Sequence, residues 1–126
     1  MPRTQSPSTD APPPQAQLRL RVNVGDASAI GPGKVELLEA IDRHRSISAA
    51  AKALGMSYRR AWLLIDEMNR LLKQPAITAA AGGSNGGGAE LTDTGRQLVQ
   101  LYRDIEARAF EQCRDGLARL LDLVAR

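Results

Sequence analysis

The sequence predicts a mainly α fold, and three observations carry that expectation. Aromatic residues make up only 3% of a chain that is 43% hydrophobic, so the core must be built from Leu, Ile, Val, Ala and Met, which favours packed helices over a β-sandwich. Apolar residues recur at helical spacing over most of the chain after residue 33, whereas strict alternation is confined to residues 18–24. Glycines at 31, 33 and 55 and the Gly-rich run of residues 82–88 divide the helical segments from one another.

The 126 residues fit one domain behind a tail. Residues 1–17 are rich in Pro, Ser, Thr and Gln and carry too little apolar surface to offset the entropy of ordering them, so a disordered tail is expected there. Residues 18–126 form the domain. Leu18, Leu20, Val22 and Val24 alternate with polar residues and share one face of a strand that needs a partner. Leu37, Leu38 and Ile41 then give one face of a first helix, ending near His44 or Arg45.

Ser46 is placed to cap a short second helix whose stripe is Ile47, Ala50, Ala51 and Leu54. Gly55 ends it, because a residue without a Cβ enters the left-handed region cheaply. Ser57 caps a third helix over residues 58–72, with Ala61, Ile65, Met68 and Leu72 inward and Leu64 beside them. Trp62 reads as packing support for that helix. Residues 76–80 and 89–91 are short strands of a hairpin around the Gly-rich tip, and Thr92 or Asp93 opens a single long helix to about residue 124.

Charge and rare residues exclude several functions. The net charge of +3 permits a polyanionic partner without requiring one, but Arg43, Arg45, Lys52, Arg59, Arg60, Arg70 and Lys73 gather in the middle of the chain. One Cys and one His leave no zinc or redox cluster and no intramolecular disulfide, which fits a reducing cytoplasm. No apolar run is long enough to span a bilayer, and no signal peptide is expected. No nucleophile with its base and no converging carboxylates stand out, so the chain is not expected to be an enzyme.

The order strand, helix, helix, Gly turn, helix, hairpin, long helix is that of a winged helix-turn-helix, with the helix-turn-helix at about 46–72, the wing at about 76–91 and a dimerisation helix at about 92–124. Ala49, Ala50 and Ala51 let the second helix pack closely across the third and hold the start of the latter outward. There Ser57, Tyr58, Arg59 and Arg60 offer the donors that double-stranded DNA accepts, with one of the two arginines suited to guanine O6 and N7. Ser48 and Lys52 are placed near the phosphates, and Ser84 and Asn85 at the wing tip. The Gly-rich run lacks the Gly-Lys-Ser/Thr ending of a nucleotide-binding loop; a flexible linker is its other reading.

Ser46-Ile47-Ser48, Ala50-Ala51-Lys52, Gly55-Met56-Ser57-Tyr58, Ala61-Trp62, Asp66-Glu67-Met68-Asn69 and Leu91-Thr92-Asp93-Thr94-Gly95 after the Gly-rich run together resemble the N-terminal DNA-binding domain of the ModE family of molybdate-responsive transcriptional regulators. The Ser-x-Ser-x-Ala-Ala portion also looks like the LysR family. The resemblance implies a homodimer, paired through the long helix and the N-terminal strand, on a palindromic operator of molybdenum-related genes. Leu20 and Val22 on the strand, and Leu98, Leu101, Tyr102, Ile105, Ala109, Cys113, Leu117, Leu120 and Val124 on the helix, are the expected interface. Cys113 is read as a small packing residue rather than a reactive thiol.

Family members continue into paired molybdate-binding domains, so a chain ending at Arg126 is expected to lack the usual effector site and to hold no cofactor of its own. The family often carries basic wing residues where this chain has Ala79 and Ser84, which implies weaker phosphate contact there. Two other readings stay open: an interaction module working with a separate oxyanion-binding protein, or molybdate or tungstate held directly at the dimer interface or by the Gly loop.

Overall fold

The computed structural model describes residues 11–80 and 88–124. Five helices and two antiparallel hairpins occur among them, so the fold is mainly α, with the helix-turn-helix followed by a wing hairpin. The chain divides into two compact units, Arg19–Glu106 and one formed by segments within residues 1–18 and 107–126. Residues 12–20 carry neither helix nor strand. Ser84 and Asn85, with the rest of the expected wing tip, lie outside the described residues, as do residues 1–10 of the expected tail.

The first unit opens on a hairpin the sequence showed only in half. Strand β1 is Val22–Val24, shorter than the alternation at 18–24 suggested, and it pairs antiparallel with β2, Ala27–Ile30, across Gly25 at φ +62°. The face of β1 is exposed, with Val22 and Val24 in the open, while Leu20 turns inward against the core.

Helix α1, Pro32–His44, buries Val35, Leu37, Leu38, Ala40 and Ile41 completely. It stops at Arg45, a non-glycine residue held at φ 60° whose N–H donates to Ile41 O. Helix α2, Ile47–Ala53, starts where the Ser46 hydroxyl accepts the Ala49 N–H at 3.1 Å. Its Ala50 and Ala51 are buried against the core, and Gly55 takes φ +70° to leave it. Helix α3, Tyr58–Leu71, begins at Ser57, which accepts the Arg60 N–H at 3.0 Å, and it buries Ala61, Ile65 and Met68.

The wing strands are β3, Ile77–Ala79, and β4, Ala89–Leu91, paired in register Ile77 to Leu91. Their root is stitched to the α1–α2 junction: Ala89 N–H donates to Arg45 O at 3.1 Å, Ser46 bridges to Gly88, and Arg45 pairs with Glu90 at 3.2 Å. The wing therefore leaves the domain beside the start of α2.

Helix α4, Asp93–Gln112, is capped by Thr92, whose hydroxyl accepts the Gly95 N–H at 3.0 Å and donates to Pro75 O at 2.6 Å. A Cβ at Gly95 would stand 2.2 Å from Ala76 O, so only glycine lets the helix start this close to β3. The expected single long helix is in fact two. At Cys113 the backbone leaves helical values, with φ −101° and ψ 12°, and α5, Arg114–Asp122, follows. Cys113 itself is exposed in the protomer.

The stripe expected to meet a partner also divides. Leu98 and Tyr102 belong to the protomer's own core, the Tyr102 hydroxyl donating to Leu20 O at 2.7 Å. Burial raises the Tyr102 pKa, with the nearby Glu106 acting in the same direction and the hydrogen bond to Leu20 O against it. Leu98 and Tyr102 therefore present almost no surface to a partner, while Leu20 is half-buried. Ala109 and Leu117 are half-buried, and Val22, Leu101, Ile105, Cys113, Leu120 and Val124 remain exposed, joined by Phe110, which the sequence reading missed.

Candidate nucleic-acid interface

The helix-turn-helix is assembled by small residues and hydroxyl caps. Ala50 and Ala51 on α2 and Ala61 on α3 have almost no exposed surface, so the two helices approach without a large side chain between them. The polar residues left outward on α2 are Ser48 and Lys52, four residues apart and so on one face, with Ala53 exposed beside them. On α3 the outward residues at the start are Tyr58, Arg59, Arg60, Trp62 and Leu63. Ser48 and Lys52 on α2, and Ser57, Tyr58, Arg59 and Arg60 at the capped start of α3, are thus all exposed.

Neither Arg59 nor Arg60 has a side-chain hydrogen bond or ion pair among the described residues. By contrast Arg45, Arg70, Arg96, Arg103 and Arg114 are each held by a carboxylate. Two adjacent guanidinium groups without an internal partner, at the positive end of a helix, offer the donors and charge that suit an anion. No group of three or more His, Cys, Asp or Glu side chains that suits a metal ion occurs among the described residues.

Farther along α3 the side chains are committed to structure. Asp66 pairs with Arg70 at 3.1 Å, and Glu67 accepts from Lys34 at 2.7 Å. Lys34, only 5% exposed, also donates to Ser28 O and so joins β2, α1 and α3; sequence reading missed it, because its partner lies 33 residues away. The hydrogen bond from Lys34 holds the Glu67 carboxyl below the usual carboxylate range. Asn69 clamps the root of the wing strand, accepting the Ala76 N–H at 2.8 Å and donating to Ile77 O at 3.3 Å.

Trp62 is the reversal. It was expected to pack, yet it is 47% exposed, beside Leu63 at 49% and Tyr58 at 56%. The helical angle explains it: Trp62 follows the buried Ala61 by one residue, about 100° around the helix and off the core face.

A family model for bacterial regulatory helix-turn-helix proteins of the lysR family matches residues 33–96, from the start of α1 through the wing and into α4. The chain belongs to that family. Within it, the described domain is of the ModE kind, as the quoted motifs implied. The molybdenum transport protein ModE of Azotobacter vinelandii is 41% identical over 109 residues, which are 86% of this chain and 39% of that protein. The molybdenum-pterin-binding protein MopB of Rhodobacter capsulatus is 48% identical over 92 residues, 73% of this chain and 31% of that one. The DNA-binding transcriptional dual regulator ModE of Escherichia coli (strain K12) is 38% identical over 104 residues, 80% and 40% respectively.

The chain therefore spans well under half the length of these relatives. The lysR-family match ends at residue 96, inside α4. No helix among the described residues is long and apolar enough to cross a membrane.

Proposed function

We propose that this chain binds double-stranded DNA as a transcriptional regulator of molybdenum-related genes. The observation that carries the reading is the pair of unpartnered arginines, Arg59 and Arg60, at the Ser57-capped start of α3. In the proposal this end of α3 enters the major groove, one of the two arginines reads a guanine, and Ser57 and Tyr58 donate to phosphates. Ser48 and Lys52 follow the backbone from α2, and Ser84 and Asn85 touch it at the wing. The molybdenum link rests on the names of the relatives, among them the molybdenum transport protein ModE and the molybdenum-pterin-binding protein MopB.

Two copies on a palindromic site complete the proposal. Leu101 and Ile105 on α4, Leu120 on α5 and Val124 just after it are each about half exposed, apolar side chains left in water by a single protomer. Binding rather than catalysis fits the carboxylates near the site, since Asp66 and Glu67 are each held by a cation of the same domain.

Gel shifts of the chain with genomic fragments, repeated across a salt series, test the reading. Log affinity is expected to fall linearly with log salt, with a slope of about −0.9 for each phosphate neutralised. Absence of binding to every fragment overturns it and favours a protein-interaction module. Sedimentation at micromolar protein is expected to give a dimer, and a monomer there removes the two-fold arrangement.

A further inference from the structure

The exposed apolar residues at the start of α3 are not part of the hydrophobic core. Trp62 and Leu63 are half exposed, and with Tyr58 and Arg59 they line one open hollow on the helix. Leu63 follows Arg59 by four residues, so the two side chains stand one above the other on the face opposite Ala61, Ile65 and Met68. Beyond Leu63 that face turns acidic and self-paired at Asp66 and Arg70.

An apolar side chain between cations suits a particular surface. A second copy of this chain would set Arg59 and Arg60 against like charges. A DNA duplex draws both arginines to it and presents, on its major-groove base edges, one apolar group, the C5 methyl of thymine. The Asp66 and Glu67 carboxylates face phosphate unfavourably, which ends the contact surface at about Leu63.

We infer that Leu63 is a specificity-determining residue that reads a thymine methyl, with Trp62 and Tyr58 as the walls of its hollow, an inference that rests on the DNA-binding reading above. Four residues of helix rise about 6 Å, close to two base-pair steps. The thymine therefore lies within about two base pairs of the base that Arg59 approaches.

The test begins with the full chain and a random pool of 30-base-pair duplexes, enriched by repeated binding at modest salt. The best-bound duplex is resynthesised with deoxyuridine at one thymidine at a time, which removes the methyl and leaves pairing and phosphates as they were. At one thymine per half-site the replacement is expected to weaken binding about fourfold, the effect of uncovering one methyl-sized group. Leu63→Ala is expected to bind the thymidine and deoxyuridine duplexes equally at that position, with its unfolding midpoint unchanged because the side chain is half exposed.

If Leu63→Ala keeps the full discrimination, or the parent chain tolerates deoxyuridine at every position while still binding the duplex, the inference fails and DNA binding stands. If no duplex is enriched at all, the DNA reading fails first, and visibly so before any base is replaced.

Discussion

The two halves of α3 do opposite things with similar residue types. From Tyr58 to Leu63 only Ala61 is buried, and the arginines are without partners. From Ile65 to Leu71 every polar side chain that the sequence motif contains is engaged: Asp66 with Arg70, Glu67 with Lys34, Asn69 with the backbone of Ala76 and Ile77. The difference teaches that one end of α3 is presented by anchoring the other. Bonds to β2, α1 and β3 fix the second half in position, and the first half is left rigid, outward and chemically free.

The sharpest way to break this comparison is to loosen the anchored half. Met68 is fully buried among the core residues, so Met68→Ala is expected to cost about 2–5 kcal/mol in urea unfolding. A loss well below that range would mean the second half is not anchored as described. Asn69→Ala comes next. It strands the N–H of the fully buried Ala76, and about 1–3 kcal/mol of stability is expected to go with it.

In the presented half the expectation reverses. Arg59→Ala is expected to leave the unfolding midpoint where it was and to lower specific DNA affinity by about 1–3 kcal/mol, relaxing one operator position. If Arg60→Ala relaxes a position and Arg59→Ala does not, the base-reading role passes to its neighbour; parent-like binding by both refutes the groove assignment. Lys52→Ala, on α2, is a milder probe. Binding is expected to weaken evenly over all sequences, with the salt slope reduced by about one unit.

Much of this contrast was legible in the sequence. Ser46 and Ser57 lie where a capping hydroxyl satisfies a first-turn N–H, and both do so; Gly55 falls where a left-handed residue is required. Local chemistry of that kind is written in consecutive residues. Long-range pairing is not: Lys34 looks like any surface lysine until β2 and α3 close over it. Strand β2 escaped because it is short and Ala27, Ser28 and Ala29 are small residues with little strand preference.

Periodicity was also blind to the break at Cys113. The bonds from Cys113 N–H to Ala109 O and from Leu117 N–H to Cys113 O survive on either side, so the apolar spacing runs through undisturbed. The same blindness put Leu98 and Tyr102 on a partner surface, since a stripe does not say which neighbour covers it.

The smallest expected effect concerns acid. Lys34 donates to Glu67 and holds its carboxyl lower in the folded chain than in the unfolded one, so the unfolded state takes up the proton first as pH falls. The stabilisation is complete above the ordinary glutamate pKa of about 4.3 and disappears as pH drops through the lower folded value. Glu67→Gln is expected to flatten this limb of a stability-against-pH curve and leave the plateau near neutrality with a smaller change than Asn69→Ala, because Glu67 is partly exposed and water screens the pair. An acid limb identical in parent and variant would show that Lys34 anchors α3 through Ser28 and burial alone, and would move the hold on the second half from charge to packing.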